Sequence, residues 1–139
     1  MRNEAPILLV EDDEVDAMTV RRALKELRVT NPLHHRSNGE EALEFLRAEE
    51  MPRPSIILLD LNMPRMNGLE FLEIVKADDN FKNIPIIVLT TSKEEHDRHN
   101  SFEHSVAGYM QKPVDYQQFV DVIRTIKLYW TLSELPDAS

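Results

Sequence analysis

The feature that most constrains this chain is a short apolar run, rich in branched side chains, that recurs along it with a helix-like or polar stretch after each copy. The clear copies are Ile7 to Val10, Ile56 to Leu59 and Ile86 to Leu89; Leu33 to Arg36 and Val106 to Met110 are weaker ones. Runs this short and this continuously apolar are too brief for core helices and suit strands covered on both faces. Between them apolar residues recur at helical spacing. Val15, Met18, Ala23, Leu24, Leu27 and Val29 mark a helix within Val15 to Val29, with Asp16 in its first turn, where an acid favours the orphan amides. Ala42, Leu43, Phe45 and Leu46 mark a second helix over Glu40 to Ala48, after the turn Ser37, Asn38, Gly39. Leu69, Phe71, Leu72, Ile74 and Val75 mark a third, and Phe119, Val120, Ile123, Ile126, Leu128 and Trp130 mark a last helix over Tyr116 to Thr131. The charged stretch Lys93 to His104 is the weakest helix and reads as an exposed surface. Strand and helix in alternation predict an α/β fold: a doubly wound, five-stranded parallel sheet with right-handed crossovers and helices on both faces.

A chain of 139 residues holds one such domain and no second of ordinary size. Its 16 basic against 25 acidic residues give a formal charge of -9, which repels phosphate backbones and anionic membranes, so direct nucleic-acid or membrane binding is not expected. The absence of cysteine excludes disulfides, a thiolate nucleophile and cysteine-ligated metals. No apolar run approaches the roughly 20 residues that span a bilayer, and MRNEAP does not read as a signal peptide, so the expected compartment is the cytoplasm.

In a doubly wound sheet, ligands bind outside the carboxyl ends of the strands. Here those ends carry Glu11 and Asp12 after the first strand, Asp60 at the third, Thr90 at the fourth and Lys112 after the fifth. Three carboxylates brought together either raise a pKa or hold a divalent cation, and an all-oxygen set suits Mg²⁺ or Mn²⁺ rather than zinc. Such a cation completes its shell with water, carbonyls and phosphate oxygens, so phosphate is the expected ligand. A lysine ammonium and a threonine hydroxyl neutralise and orient phosphoryl oxygens, and a carboxylate can accept the phosphoryl group covalently. Asp60 is the natural acceptor because it ends the most apolar strand; the run Glu11, Asp12, Asp13, Glu14 looks like the metal side.

These residues, in ILLVEDDEVD, IILLDLNMPRMNGLEFL, IIVLTTS and GYMQKPVD, resemble the receiver domains of two-component response regulators over nearly the whole chain. The resemblance is strongest to the small stand-alone regulators that partner bacterial phytochromes. It implies a flavodoxin-like (βα)5 fold with strand order 2-1-3-4-5, with residues 1–132 as the receiver and 133–139 as a C-terminal tail. Asp60 would accept a phosphoryl group from the phosphohistidine of a sensor histidine kinase. Glu11, Asp12, Asp60 and the backbone carbonyl of Asn62 would hold Mg²⁺, and Asp13 reads as loop chemistry or a helix cap. Thr90 resembles the switch hydroxyl, Tyr109 the aromatic that turns inward behind it, and Lys112 the lysine that bonds the phosphate; Pro113 would follow a cis peptide bond. Two positions depart from the usual pattern: branched Thr91 stands where a smaller residue is common, and Glu11 replaces the commoner aspartate.

The resemblance implies a signalling switch with slow autophosphorylation and autodephosphorylation rather than an enzyme with rapid turnover. Output would then pass through protein contacts or phosphorelay to a downstream phosphotransfer or target protein. A phosphorylation-silent interaction module and a small aspartyl-phosphate phosphatase remain as alternatives; against the phosphatase, Asn62 stands two residues after Asp60 where a second acid would protonate the leaving group. In the last helix, Val120, Val122, Leu128, Tyr129 and Leu132 spread apolar character beyond the sheet-facing stripe of Phe119, Ile123, Ile126 and Trp130. That excess predicts a homodimer through this helix and the Leu132 to Pro136 extension. The histidines make no case for a second metal site, and the five phenylalanines, at least three of which read as core, make none for a flavin.

Overall fold

The computed structural model describes residues 5–60, 68–90, 106–112, 115–130 and 132, and of Thr90, Tyr109 and Gln111 the backbone alone. The strands are β1 (Ile7–Val10), β2 (Leu33–Arg36), β3 (Ile56–Asp60), β4 (Ile86–Thr90) and β5 (Gly108–Gln111). They form one sheet in the order β2-β1-β3-β4-β5, with every neighbouring pair parallel. The helices are α1 (Glu14–Glu26), α2 (Gly39–Arg47), α3 (Gly68–Ala77) and the last helix, Tyr116–Trp130. The helix expected over Lys93 to His104 and the tail 133–139 lie outside the described residues.

The side-chain alternation of the strands sorts the core into two layers. Ile7, Leu9, Ile56, Leu58, Ile87 and Leu89 face Ala17, Val20 and Leu24 of α1 and Phe119, Val120, Ile123 and Ile126 of the last helix. Leu8, Val10, Ile57, Leu59, Ile86 and Val88 face Ala42, Leu43 and Phe45 of α2 and Phe71, Leu72 and Val75 of α3. Both faces of each central strand are therefore covered, which explains why those runs are continuously apolar.

Helix α1 starts where Asp13 accepts from the backbone N–H groups of Val15 at 2.8 Å and Asp16 at 3.1 Å, so Asp13 is the helix cap. Its inward stripe is Ala17, Val20, Ala23 and Leu24, and this puts Val15 and Met18 on the solvent side, 71% and 68% exposed. Strand β5 begins at Gly108 rather than at Val106, whose side chain packs half-buried on the second layer. A Cβ at Gly108 would lie 3.2 Å from Ile87 Cδ1, a tight approach for any larger residue.

The last helix corrects the expected division of its faces. Val120 and Leu132 are buried at 1% and 8% exposure, so they belong to the core rather than to a free surface. Trp130 packs half-buried on the same layer, which leaves Leu128 and Tyr129 as the strongly exposed apolar pair. Three phenylalanines, Phe45, Phe71 and Phe119, are buried as expected of core residues. Among the described residues, no helix is long and apolar enough to cross a membrane.

Candidate phosphoacceptor site

The strand order brings the site together. After β1 the chain turns to β2 on one side, then crosses back to β3 on the other, so β1 and β3 flank the switch in winding direction. Val10 pairs with Leu59, which sets Glu11 beside Asp60 one step further along. Asp60 pairs with Leu89 and Thr90 with Gln111, so Lys112 emerges at the same edge two strands away.

The side chains there converge. Carboxylate oxygens of Glu11, Asp12 and Asp60 lie within 4.8 Å of one another, with Glu11 and Asp60 buried and Asp12 exposed. Lys112 Nζ donates to Glu11 Oε1 in a short contact, donates to Asp16 Oδ2 at 3.1 Å and stands 4.0 Å from Asp60 Oδ2. Exposure is 1% for Glu11, 8% for Asp60 and 9% for Lys112, so two acids and a cation are held almost out of water. Burial pushes the Glu11 carboxyl up to about 8; its hydrogen bond to Asp60 adds to the rise and Lys112 opposes it. Burial acts to lower the Lys112 ammonium, but Glu11 first, then Asp60 and Asp16, outweigh it and raise its pKa.

The acidic loop is also anchored from β2. Glu11 N–H donates to the Arg36 carbonyl at 3.0 Å, and His35 Nε2 lies 2.6 Å from the Glu11 carbonyl oxygen. A carbonyl can only accept, so this nitrogen carries the proton. His34, one residue earlier on β2, instead stacks on Phe45 with ring centroids 4.9 Å apart, so the adjacent histidines form no shared ligand pair.

The structure thus joins Glu11, Asp12, Asp60 and Lys112, as the sequence predicts. The backbone of Thr90 ends β4 and that of Tyr109 is the second residue of β5, paired with Val88, whereas their side chains, together with Asn62, Thr91 and the Pro113 peptide bond, lie outside the described residues. Two contacts escaped the sequence reading. Asp16 is legible there as a first-turn acid of α1, and its position one turn beyond the acidic loop is the signal that it shares the mouth. His35 carries no such signal, because only the β1–β2 register brings its ring to the loop.

Chemically, three converging oxygen donors with an ammonium in contact with them suit a hard divalent cation and a phosphoryl group. The acidic cluster is able to coordinate such a cation, and Glu11 joins it to the lysine by a direct hydrogen bond, with Asp60 Oδ2 4.0 Å from the ammonium. A family model of the response regulator receiver domain matches residues 7–124. The chain is a response regulator receiver domain. It is 35% identical over 127 residues to the probable methanogenesis regulatory protein FilR2 of Methanothrix harundinacea, covering 89% of this chain and 82% of FilR2. It is 37% identical over 128 residues to the response regulator Rcp1 of Synechocystis, covering 89% of this chain and 87% of Rcp1. The solved Mn²⁺-bound form of Rcp1 superposes with a TM-score of 0.81 at 36% identity, over 96% of this chain and 99% of that one. The phosphorylated cyanobacterial phytochrome response regulator RcpA matches with a TM-score of 0.83 at 34% identity, over 92% of this receiver and 94% of RcpA.

Proposed function

We propose that this receiver takes a phosphoryl group onto Asp60 from the phosphohistidine of a sensor histidine kinase. The observation that carries the reading is Asp60 itself, a buried carboxylate grouped with Glu11 and Asp12 and 4.0 Å from the Lys112 ammonium. A carboxylate oxygen of Asp60 attacks the phosphorus in line. As the new O–P bond forms, the P–N bond to the donor imidazole breaks and its electron pair stays on the ring nitrogen. Glu11, Asp12 and Asp60 would hold Mg²⁺ or Mn²⁺, with the Asn62 backbone carbonyl as a further donor; the ion's contribution is charge neutralisation on the phosphoryl oxygens. Lys112 would neutralise further charge on the phosphoryl oxygens. Water later cleaves the mixed anhydride, so the activity is slow phosphoryl acceptance and loss rather than rapid turnover.

The signal would then move through Thr90 and Tyr109, whose side chains shift toward the added charge and bias the surface that Tyr109's strand presents. Pro113 would follow Lys112 through a cis peptide bond. The likeness to Rcp1 and RcpA supports a phytochrome-type kinase as donor. Output would pass to a downstream phosphotransfer or target protein from a receiver spanning residues 1–132. Exposed Leu128 and Tyr129 support a homodimer through the last helix and the tail 133–139. Intact mass after incubation with Mg²⁺ and acetyl phosphate tests the central claim. One added phosphoryl group is expected, and it should vanish in Asp60→Asn and with a chelator; an Asp60→Asn protein that still gains the mass would overturn the assignment.

A further inference from the structure

The Lys112 ammonium has three N–H donors, and the carboxylates it meets belong to two different sets. Glu11 and Asp60 belong to the group whose oxygens converge within 4.8 Å, and Asp16 stands outside it. Asp16 Oδ2 nevertheless accepts from Lys112 Nζ at 3.1 Å, and the Asp16 side chain is 41% exposed while that of Lys112 is 6% exposed. A cation at the converging group would compete with Lys112 for oxygens of Glu11 and Asp60, whereas Asp16, outside that group, would keep its contact with the lysine. Its own backbone is fixed, because the Asp13 cap binds the Asp16 N–H at 3.1 Å in the first turn of α1.

We infer that Asp16 is a positioning residue that keeps the Lys112 ammonium at the phosphoryl side of the pocket once the metal carboxylates are engaged. The inference rests on the phosphoacceptor reading above. A lysine is a point charge on a flexible four-carbon stem, so a second fixed carboxylate restricts where its remaining N–H groups can point. Two protons stay available for the phosphoryl oxygens while the third is held by Asp16. With acetyl phosphate as donor, Asp60 oxygen forms the new bond to phosphorus, the bond from phosphorus to the acetyl oxygen breaks, and acetate leaves with the electron pair.

The test compares the full chain with Asp16→Asn, Asp16→Glu, Lys112→Met and the double variant Asp16→Asn/Lys112→Met. At saturating Mg²⁺ and acetyl phosphate, Asp16→Asn should lower the rate of phosphoryl addition by about tenfold, the scale expected when a catalytic charge is left loosely placed. Calorimetric Mg²⁺ affinity should stay within about twofold, because Asp16 is outside the converging group. Asp16→Glu should recover most of the rate, and in the Lys112→Met background Asp16→Asn should add nothing further. An unchanged or faster rate in Asp16→Asn overturns the inference, as does a rate that falls in step with Mg²⁺ affinity. The ¹⁵N resonance of the lysine ammonium in the Mg²⁺-saturated protein gives a readout free of phosphorylation. It should be sharp in the parent chain and broadened by solvent exchange in Asp16→Asn; identical spectra refute the role of Asp16 even if Asp60 proves not to be the acceptor. Loss of phosphoryl addition in the parent chain, with the spectral difference intact, would instead strike the acceptor reading.

Discussion

Along β1, Ile7 through Val10 are buried among aliphatic side chains, and one residue later Glu11 is equally buried among a lysine and two more acids. The backbone register continues from one region to the other, but the source of order changes. Within the layers, apolar area removed from water holds the strands. At the carboxyl edge, burial outweighs the attraction at Glu11, while at Lys112 the attraction of the acids outweighs burial. The boundary between the two regions falls within one residue, between Val10 and Glu11.

The sharpest test of that boundary is a cavity in the layer. Phe71 of α3 is fully buried against β-strand residues of the second face, and Phe71→Ala should cost about 4 kcal/mol through lost transfer energy and an unfilled cavity. Urea denaturation reads it directly. A loss under about 1 kcal/mol would mean that this layer collapses around the gap and is no more specified than the site.

Glu11 supplies the opposite case, in which removing a buried group should help. Its folded pKa of about 8 lies above the ordinary 4.5, so the folded state holds the proton more tightly than the unfolded chain. The stability this gives is full below about 4.5 and is lost as pH rises toward about 8, where the buried carboxyl must ionise. Glu11→Gln removes that dependence. Measured without divalent metal, the variant should gain on the parent chain steadily across this window, whereas a difference that is flat or of opposite slope would show that Lys112 already compensates the charge. Binding of a cation must displace the same proton, so the stabilisation given by Mg²⁺ should grow with pH in the parent chain and less so in Glu11→Gln.

The contrast also explains what the sequence could disclose. Continuous apolar runs such as Ile56 to Leu59 name both the strand and its two-sided burial, and three of them with two further strand segments, alternating with helices, leave one sheet architecture. The acids and lysine at the run ends were legible because a doubly wound sheet gathers its carboxyl ends. Partnership within the gathered set was not. Helical position places Asp16 near the loop but does not name its partner Lys112, 96 positions away, and His35 reaches the Glu11 carbonyl across 24 positions only through the β1–β2 register. Periodicity found the first helix but not its inward face: Val15 and Met18 fit a helical period, while Ala17, Val20 and Leu24 fill the inward stripe and leave those two in water.

The smallest expected effect lies at the opposite end of α1, in a place that belongs neither to the layers nor to the charged edge. There Val29 N–H bonds the Leu24 carbonyl at 2.9 Å and Arg28 N–H bonds the Lys25 carbonyl at 3.1 Å, a paired closure that needs a left-handed residue between them. Arg28 fills that place with φ 61, a conformation in which its Cβ is crowded and which glycine adopts without strain. Arg28→Gly should therefore stabilise the fold by about 0.5–1 kcal/mol, the relief of left-handed strain reduced by the extra freedom glycine gives the unfolded chain. The rate of phosphoryl addition should not change, because the substitution sits at the far end of the helix whose first turn carries Asp16. A stabilised protein with a slower rate would mean that α1 transmits its C-terminal geometry to the mouth, and that the two regions are coupled through the helix rather than separated at the end of β1.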